Sequence, residues 1–507
     1  MSKNIKNLQQ NKKMDLTKEQ REALTGIVSW VKSDSYPIAI LSGKAGSGKT
    51  TLIKHIVSEL KKEKKSFSLF APTGRASRII EKIVGVEAET IHKGIYTHDK
   101  TTIDEDSELE FDGFKVKYKL KNSDLNINLL IIDESSMISD HSNRSPALSF
   151  GSDRLLHDLL HYTKILLKDR RIKRKILFVG DTAQLPPIGD DVSPALSEKY
   201  FLDSYRVECK KFNLNEVVRQ NQNNPILHNA EKIRNSIENK NYNQFKITGD
   251  SNVVRSINPV QAVKEFFNNQ DIGSSVIITY MNSTANRYNK SIRKKIYGSS
   301  NLPVQKGDII LVTKNTSSFS NGDLLRVIES KANNEEKVID LKVKESRNLT
   351  KKKQITLCYR DVVVRPIEAT DETKDQHCKI LENLLESSEG RLSSEENRSM
   401  VAEFCMRNQD IKSDTEIFNE HLKKDPYFNA LVVKYGYAIT CHKAQGGEWD
   451  NVIIDFDRVR KNLAFFRWSY TAVTRAKKSL SVINPPCFGD SAVFENGVEN
   501  FFHEIKE

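Results

Sequence analysis

The sequence predicts an α/β fold on parallel sheet, and three observations predict it. Short apolar runs, Ile38–Leu41, Phe67–Ala71, Leu129–Ile132 and Ile176–Val179, stand between Gly, Pro, Asp or Ser residues. None alternates apolar with polar, which is how strands covered on both faces read. Helical stretches separate these runs, as crossover connections between parallel strands require. A second set, Val276–Thr279, Leu431–Thr440, Val452–Asp455 and Leu480–Ile483, brings the pattern back in the C-terminal half.

Taken in order, residues 1–14 read as a solvated, polar and basic tail. Leu16-Thr17-Lys18-Glu19-Gln20 reads as a helix start, with Thr17 as N-cap and Gln20 at the third helical position. Leu24, Ile27, Val28 and Val31 continue it at helical spacing. The Ile38–Leu41 strand leads into Gly43-Lys44-Ala45-Gly46-Ser47-Gly48-Lys49-Thr50, a complete G-x-x-x-x-G-K-[ST] phosphate loop. A helix follows, with Leu52, Ile53, Ile56, Val57 and Leu60 on one face. Residues 93–126 leave the alternation. They carry Asp104, Glu105, Asp106, Glu108 and Glu110, then a period-two stretch, Phe114–Leu120, and read as an inserted hairpin or small subdomain. Residues 140–153 read as an irregular loop, and a helix over about Arg154–Lys168 comes next. In 303–365 the runs Ile309–Thr313 and Leu324–Ile328 follow the Gly307-Asp308 and Gly322-Asp323 turns, the pattern of a small barrel. Residues 366–425 read as polar and helical.

With 507 residues, roughly 150 per domain implies three or four domains. Lys and Arg total 79 against 67 Asp and Glu, a net charge of +12 that suits a nucleic-acid partner without requiring one. No apolar run approaches the ~18 residues of a membrane helix, and Met1–Lys13 lacks the apolar core of a signal peptide. Cys209, Cys358, Cys378, Cys405, Cys441 and Cys487 stand far apart with no CxxC pair, so neither a zinc knuckle nor a disulfide framework is expected. A reduced, cytoplasmic setting fits.

The phosphate loop carries the chemistry. Its glycines, Gly43, Gly46 and Gly48, let backbone N–H groups, with those of Ala45 and Ser47, turn toward phosphate oxygens, and the helix N-terminus adds positive potential. Lys49 reaches for the β- and γ-phosphates, Thr50 ligates Mg²⁺, and Thr51 completes the first helical turn. The strand Leu129–Ile132 ends in Asp133 and Glu134. Asp133 suits the Mg²⁺ shell, and Glu134 suits orienting and deprotonating an attacking water. ATP and Mg²⁺ are therefore the expected cofactors.

The order of blocks resembles superfamily 1 helicases, best their B branch of RecD-like and Dda-like proteins. Ala71-Pro72-Thr73-Gly74-Arg75-Ala76 resembles motif Ia, and Thr90-Ile91-His92 the short block after it. Gly180-Asp181-Thr182-Ala183-Gln184-Leu185-Pro186-Pro187 resembles motif III, and Leu214-Asn215-Glu216-Val217-Val218-Arg219-Gln220 motif IV. Thr440 to Trp449 resembles motif V, and Tyr470-Thr471-Ala472-Val473-Thr474-Arg475-Ala476 motif VI.

The resemblance implies two tandem RecA-like P-loop domains, with ATP in the cleft between them. The first spans 15–240 with a duplex-splitting pin at 93–126. The second spans 241–302 and 426–507, interrupted by a Src-homology-3-like barrel (303–365) and a helical insert (366–425). It implies that Gln20 reads adenine, Gln184 senses the γ-phosphate, Arg219 and Arg475 contact that phosphate, and Glu448 touches the ribose or a neighbouring loop. Pro72, Thr73, His92, Thr440, His442 and Lys443 would meet the DNA backbone; Tyr96, Tyr280 and Trp449 are rings that either stack on bases or pack in the core. Lys168–Lys175 reads as a solvated helix end or a DNA surface. The implied activity is ATP hydrolysis driving 5′→3′ movement on single-stranded DNA and unwinding of tailed duplexes, by a chain expected to be monomeric and to serve repair or recombination. The alternative is a translocase, or a subunit of a repair or defence complex, that does not unwind alone.

Overall fold

A computed structural model describes residues 16–104, 115–122, 128–142, 148–167, 174–216, 218, 224–249, 253–268, 272–316, 318–346, 349–368, 373–412 and 415–489. The expected tail 1–14, the acidic residues from Glu105 to Glu110, most of Lys168–Lys175, and Arg219 lie outside the described residues.

The first half forms β1 (Ile38–Gly43), β2 (Phe67–Ala71), β3 (Glu89–Thr90), β4 (Tyr96–Asp104), β5 (Lys115–Leu120), β6 (Leu129–Ile132), β7 (Leu148–Phe150), β8 (Lys175–Gly180) and β9 (Cys209–Leu214). Six of these make one parallel sheet in the order β3-β2-β6-β8-β1-β9. β1, β6 and β8 are buried along their whole length, which explains their unbroken apolar runs. The helix Lys18–Lys32 opens with the expected capping box between Thr17 and Gln20. The helix Lys49–Lys62 buries Leu52, Ile53, Ile56, Val57 and Leu60 against one face of the sheet. At roughly 1.5–3 kcal/mol per large apolar side chain, that face anchors the phosphate loop from behind.

β4, β5 and β7 form a separate three-stranded sheet, with β4 antiparallel and β7 parallel to β5. The segment read as irregular, 140–153, thus ends in a strand. Three residues are too few to show a period, and this strand is made by its partner. The helix expected over about Arg154–Lys168 is shorter, Leu155–Tyr162, followed by a 3₁₀ turn at Ile165–Leu167. Lys175, the described end of the basic run, is not a DNA surface. Its Nζ is buried beneath the first helix and donates to the Trp30, Ser33 and Ser35 carbonyls at 2.6, 2.7 and 2.9 Å.

The second half forms β10 (Val254–Ser256), β11 (Ser275–Thr279), β12 (Ile309–Val312), β13 (Leu324–Ser330), β14 (Glu335–Ser346), β15 (Leu349–Pro366), β16 (Gln376–Leu381), β17 (Leu431–Tyr435), β18 (Ala438–Thr440), β19 (Trp449–Asp455) and β20 (Ala476–Ile483). A second parallel sheet has the order β10-β20-β19-β11-β18. The helix Pro225–Glu238 places Ile226, Ala230 and Ile233 in the core of this second sheet, so the chain changes cores before Pro225, earlier than residue 240.

The barrel also runs past residue 365. β12 pairs with β13 and β17, β17 with β16, β16 with β15, and β15 back with β13, which closes a five-stranded ring; β14 extends from β15. Residues 366–425 therefore supply β16 as well as the helices Ser394–Arg407 and Glu416–Lys424. Gln376, His377 and Lys379 are polar, and that hid the strand. Leu431–Thr440, where the α/β pattern is expected to resume, holds two strands. β17 belongs to the barrel and β18 to the parallel sheet, with Gly436 between them at a point where a Cβ would stand 2.7 Å from Leu324. The helix Glu416–Lys424 lies against β4, and Tyr118 of β5 packs on Val401, Phe404, Phe418, Leu422 and Phe428. Among the described residues no helix is long and apolar enough to cross a membrane.

Candidate active site

β1 ends at Gly43 and the helix starts at Lys49, so the loop between them hangs at the carboxyl end of the sheet, where α/β folds place ligands. Gly48 has φ +78°, and a Cβ there would stand 2.5 Å from Gln20 Nε2. Only glycine meets both demands. Gln20 is buried, and its amide bonds on both sides. Oε1 accepts from Thr17 N–H at 3.0 Å, and Nε2 donates to the Ser47 carbonyl at 2.9 Å. The first helix therefore holds the phosphate loop through this one side chain. Lys49 Nζ donates to the Gly43 and Lys44 carbonyls at 2.9 and 3.0 Å, inside the loop.

Thr50 Oγ1 donates to Asp133 Oδ2 at 3.3 Å, joining the loop's helix to the end of β6. Glu134 N–H donates to Asp133 Oδ1 at 2.9 Å, and Glu134 itself sits at φ +50°. That left-handed backbone is unfavourable for a residue with a side chain, and such outliers collect at working sites. It turns the chain sharply at the strand end. Burial, with the Glu134 carboxylate beside it, pushes the Asp133 carboxyl up to about 6. A hydroxyl and a buried carboxylate as neighbours are the hard oxygen donors that a divalent cation takes.

The Asp133 shift has a stability consequence. The folded value lies above the unfolded one, so this group costs nothing well below pH ~4 and destabilises increasingly as pH rises to about 6. Asp133→Asn is therefore expected to melt higher than wild type at about pH 7.5 without nucleotide or Mg²⁺, with the gain fading toward pH ~4. Melting curves at both pH values check this; equal melting at the higher pH contradicts a charge held under burial.

Gln184 is buried beside the turn after β8, and its Oε1 has no hydrogen-bond partner among the described residues. An orphaned buried carbonyl needs an explanation, and the loop-facing turn supplies one. Ala183 and Leu185 on either side are buried in the second sheet's core. Leu185 N–H donates to Thr471 Oγ1 at 2.9 Å, and Gln445 Nε2 to the Leu185 carbonyl at 2.9 Å.

Arg475 is buried and spends its donors within the second unit, on the Thr471 and Gly447 carbonyls at 3.0 and 3.1 Å and on Thr474 Oγ1 at 3.1 Å. Glu448 pairs with Lys477 at 3.5 Å, and its carbonyl accepts from Arg75 at 3.4 Å. Arg219 is outside the described residues, but Val218 N–H beside it donates to the Gly46 carbonyl at 3.0 Å. Val218 thus reaches the phosphate loop.

The residues matched to DNA contact fall into two places. Thr73 caps the helix Gly74–Val84 through Ala76 N–H, Pro72 precedes it, and Gly446 approaches so closely that a Cβ would stand 3.3 Å from Thr73 Oγ1. Thr440, His442 and Lys443 lie on the facing segment, and Lys443 Nζ donates to Asn321 Oδ1 of the barrel at 2.5 Å. Burial, then Lys434, lowers Lys443 to about 8, and burial lowers His442 as well. His92 stands apart. Its ring packs on Phe150 and Tyr96 at 5.2 and 5.6 Å, Nδ1 has no partner among the described residues, and burial brings it down to about 4, so it is neutral at working pH. Tyr96 and Trp449 are core rings; Tyr96 donates to Asp158 at 2.7 Å, and the Arg75 guanidinium lies 3.8 Å over Trp449. Tyr280 packs on Trp468 at 5.8 Å.

Sequence reasoning missed a buried cluster between the two sheets: Asp181, Arg234 and Tyr470. Asp181 and Tyr470 lie in recognised blocks without an assigned role, whereas Arg234 sits in an ordinary helix with no local signal.

Fold and site together define a two-lobed P-loop protein whose second lobe touches the phosphate loop. Residues 29–190 match the family described as AAA domain, and 435–483 match the UvrD-like helicase C-terminal domain. The chain is 28% identical over 338 residues to the ATP-dependent DNA helicase dda of Enterobacteria phage T4, covering 62% of this chain and 68% of that one. It is 24% identical over 519 residues to the RecBCD enzyme subunit RecD of Buchnera aphidicola subsp. Schizaphis graminum, covering 95% and 74%. A Pif1 helicase from Bacteroides, solved with ADP-AlF3 and ssDNA, aligns over 92% of both chains at 18% identity, with a TM-score of 0.45. The chain is thus similar in sequence to the dda helicase and, over more of its length, to RecD.

Proposed function

We propose that this chain is an ATP-dependent DNA helicase that moves 5′→3′ on single-stranded DNA and opens tailed duplexes. The observation that carries the reading is the phosphate loop gripped from the second lobe, with Asp133 and Glu134 at its side. Lys49 and the loop N–H groups hold the phosphates of ATP. Mg²⁺, when bound at Thr50 and Asp133, offsets phosphate charge. Glu134 orients a water and takes its proton, and Gln184 fixes that water with its unpartnered carbonyl. Arg475 and Arg219 answer the charge that develops on the γ-phosphate. In the structure Arg475 is held by the Gly447 carbonyl, so it acts after a rearrangement of the second lobe.

Single-stranded DNA runs over Pro72 and Thr73 on one lobe and Thr440, His442 and Lys443 on the other, whereas His92 is packed on Phe150 and Tyr96. Phosphate contacts give sequence-independent affinity. The β4–β5 hairpin, braced by the helix Glu416–Lys424, is the pin that excludes the second strand. The choice of DNA rests on the relatives, and the polarity on the motif resemblance.

The test is strand separation on duplexes with a 5′ or a 3′ tail. Opening of the 5′-tailed duplex alone is expected, and opening of the 3′-tailed one contradicts the polarity. Deleting residues 100–112 is expected to reduce unwinding severalfold more than DNA-stimulated hydrolysis. Equal losses contradict the pin. Hydrolysis stimulated by DNA without strand opening supports the translocase instead.

A further inference from the structure

We propose that Tyr470 and Arg234 are positioning residues through which the second lobe reads the phosphate loop and sets the turn that carries Gln184. The inference rests on the reading of that loop as the site of ATP hydrolysis. The Tyr470 hydroxyl accepts from Ala45 N–H at 3.0 Å and from Arg234 Nη1 at 3.2 Å, and donates to Asp181 Oδ2 at 2.7 Å. A hydroxyl has one proton and two lone pairs, so this one is saturated. Arg234 Nη1 also donates to Asp181 Oδ1 at 2.6 Å. Asp181 in turn accepts from Ala183 N–H at 3.0 Å, and its carbonyl accepts from Gln184 N–H at 3.2 Å.

One unbroken chain of bonds therefore runs from the loop backbone to the Gln184 turn, by way of two side chains of the other lobe. Tyr470 lies on the helix Leu463–Val473 and Arg234 on Pro225–Glu238, which pack together in the second core. Neighbours of Ala45 are held from the same side. Lys44 pairs with Glu231 at 3.4 Å, and the Gly46 carbonyl accepts from Val218 N–H at 3.0 Å. Asp181 is 0% exposed, Tyr470 1% and Arg234 6%, so a broken bond leaves a dry, unpaired polar group. Burial and the Asp181 carboxylate push the Tyr470 phenol above its ordinary range, and it stays a donor at any working pH. A shift of the loop as it takes up phosphates pulls on Ala45 N–H, and the least costly response keeps the network whole and moves the Gln184 turn with it.

Tyr470→Phe removes one oxygen and leaves the ring packing, and a melting curve within a few degrees of wild type checks that it folds. It is expected to lower the ratio of DNA-stimulated to basal ATP turnover about tenfold, with KM for ATP within about threefold of wild type. Arg234→Lys keeps a cation beside Asp181 and is expected to lower the ratio less. A Tyr470→Phe ratio within about twofold of wild type, or a change confined to KM, overturns the link while the helicase reading stands. A wild-type chain whose turnover ignores single-stranded DNA overturns the helicase reading, and this inference with it.

Discussion

Lys49→Ala is expected to stop ATP hydrolysis, with turnover falling by roughly 10³-fold or more. Lys49 is the cation at the start of the helix Lys49–Lys62, and its Nζ reaches the loop carbonyls of Gly43 and Lys44. The helix behind it is anchored by five buried apolar side chains, so the charge is lost without loss of the loop. Melting temperature is expected to stay within a few degrees of wild type. Steady-state phosphate release checks the loss, and turnover near wild type removes the loop from the mechanism.

Glu134→Gln is expected to cost about 10²–10⁴ in turnover while ATP and single-stranded DNA still bind. Its amide matches the carboxylate in size and tolerates the same turn, but takes no proton from water. The neighbouring charge that raises Asp133 also disappears, so the Asp133 carboxyl falls toward its ordinary range. Binding of a fluorescent ADP analogue, run beside turnover, separates the two effects. Unchanged turnover removes Glu134 as the base.

Elements shaped by burial on both faces were legible, because β1, β6 and β8 must be apolar throughout. So was the loop, whose spacing is dictated by phosphate chemistry. β9 was not, since at the sheet edge Lys210, Lys211 and Asn213 are exposed and break the run. β16, inside the barrel sheet, was hidden because Gln376, His377 and Lys379 interrupt its apolar run, and the barrel's extent was hidden with it. Thr17 and Gln20 were readable as a cap, but the bond from Gln20 to Ser47 joins residues 27 apart. Contacts between distant segments leave no local period, and Arg234, 53 residues from Asp181, is the clearest case.

In the proposed mechanism, hydrolysis at the phosphate loop is coupled to single-stranded nucleic acid held across both lobes. ATP turnover by the full chain, measured with and without saturating single-stranded DNA, tests it most directly. A rise on the order of tenfold or more is expected with DNA present. Equal turnover in both conditions contradicts it.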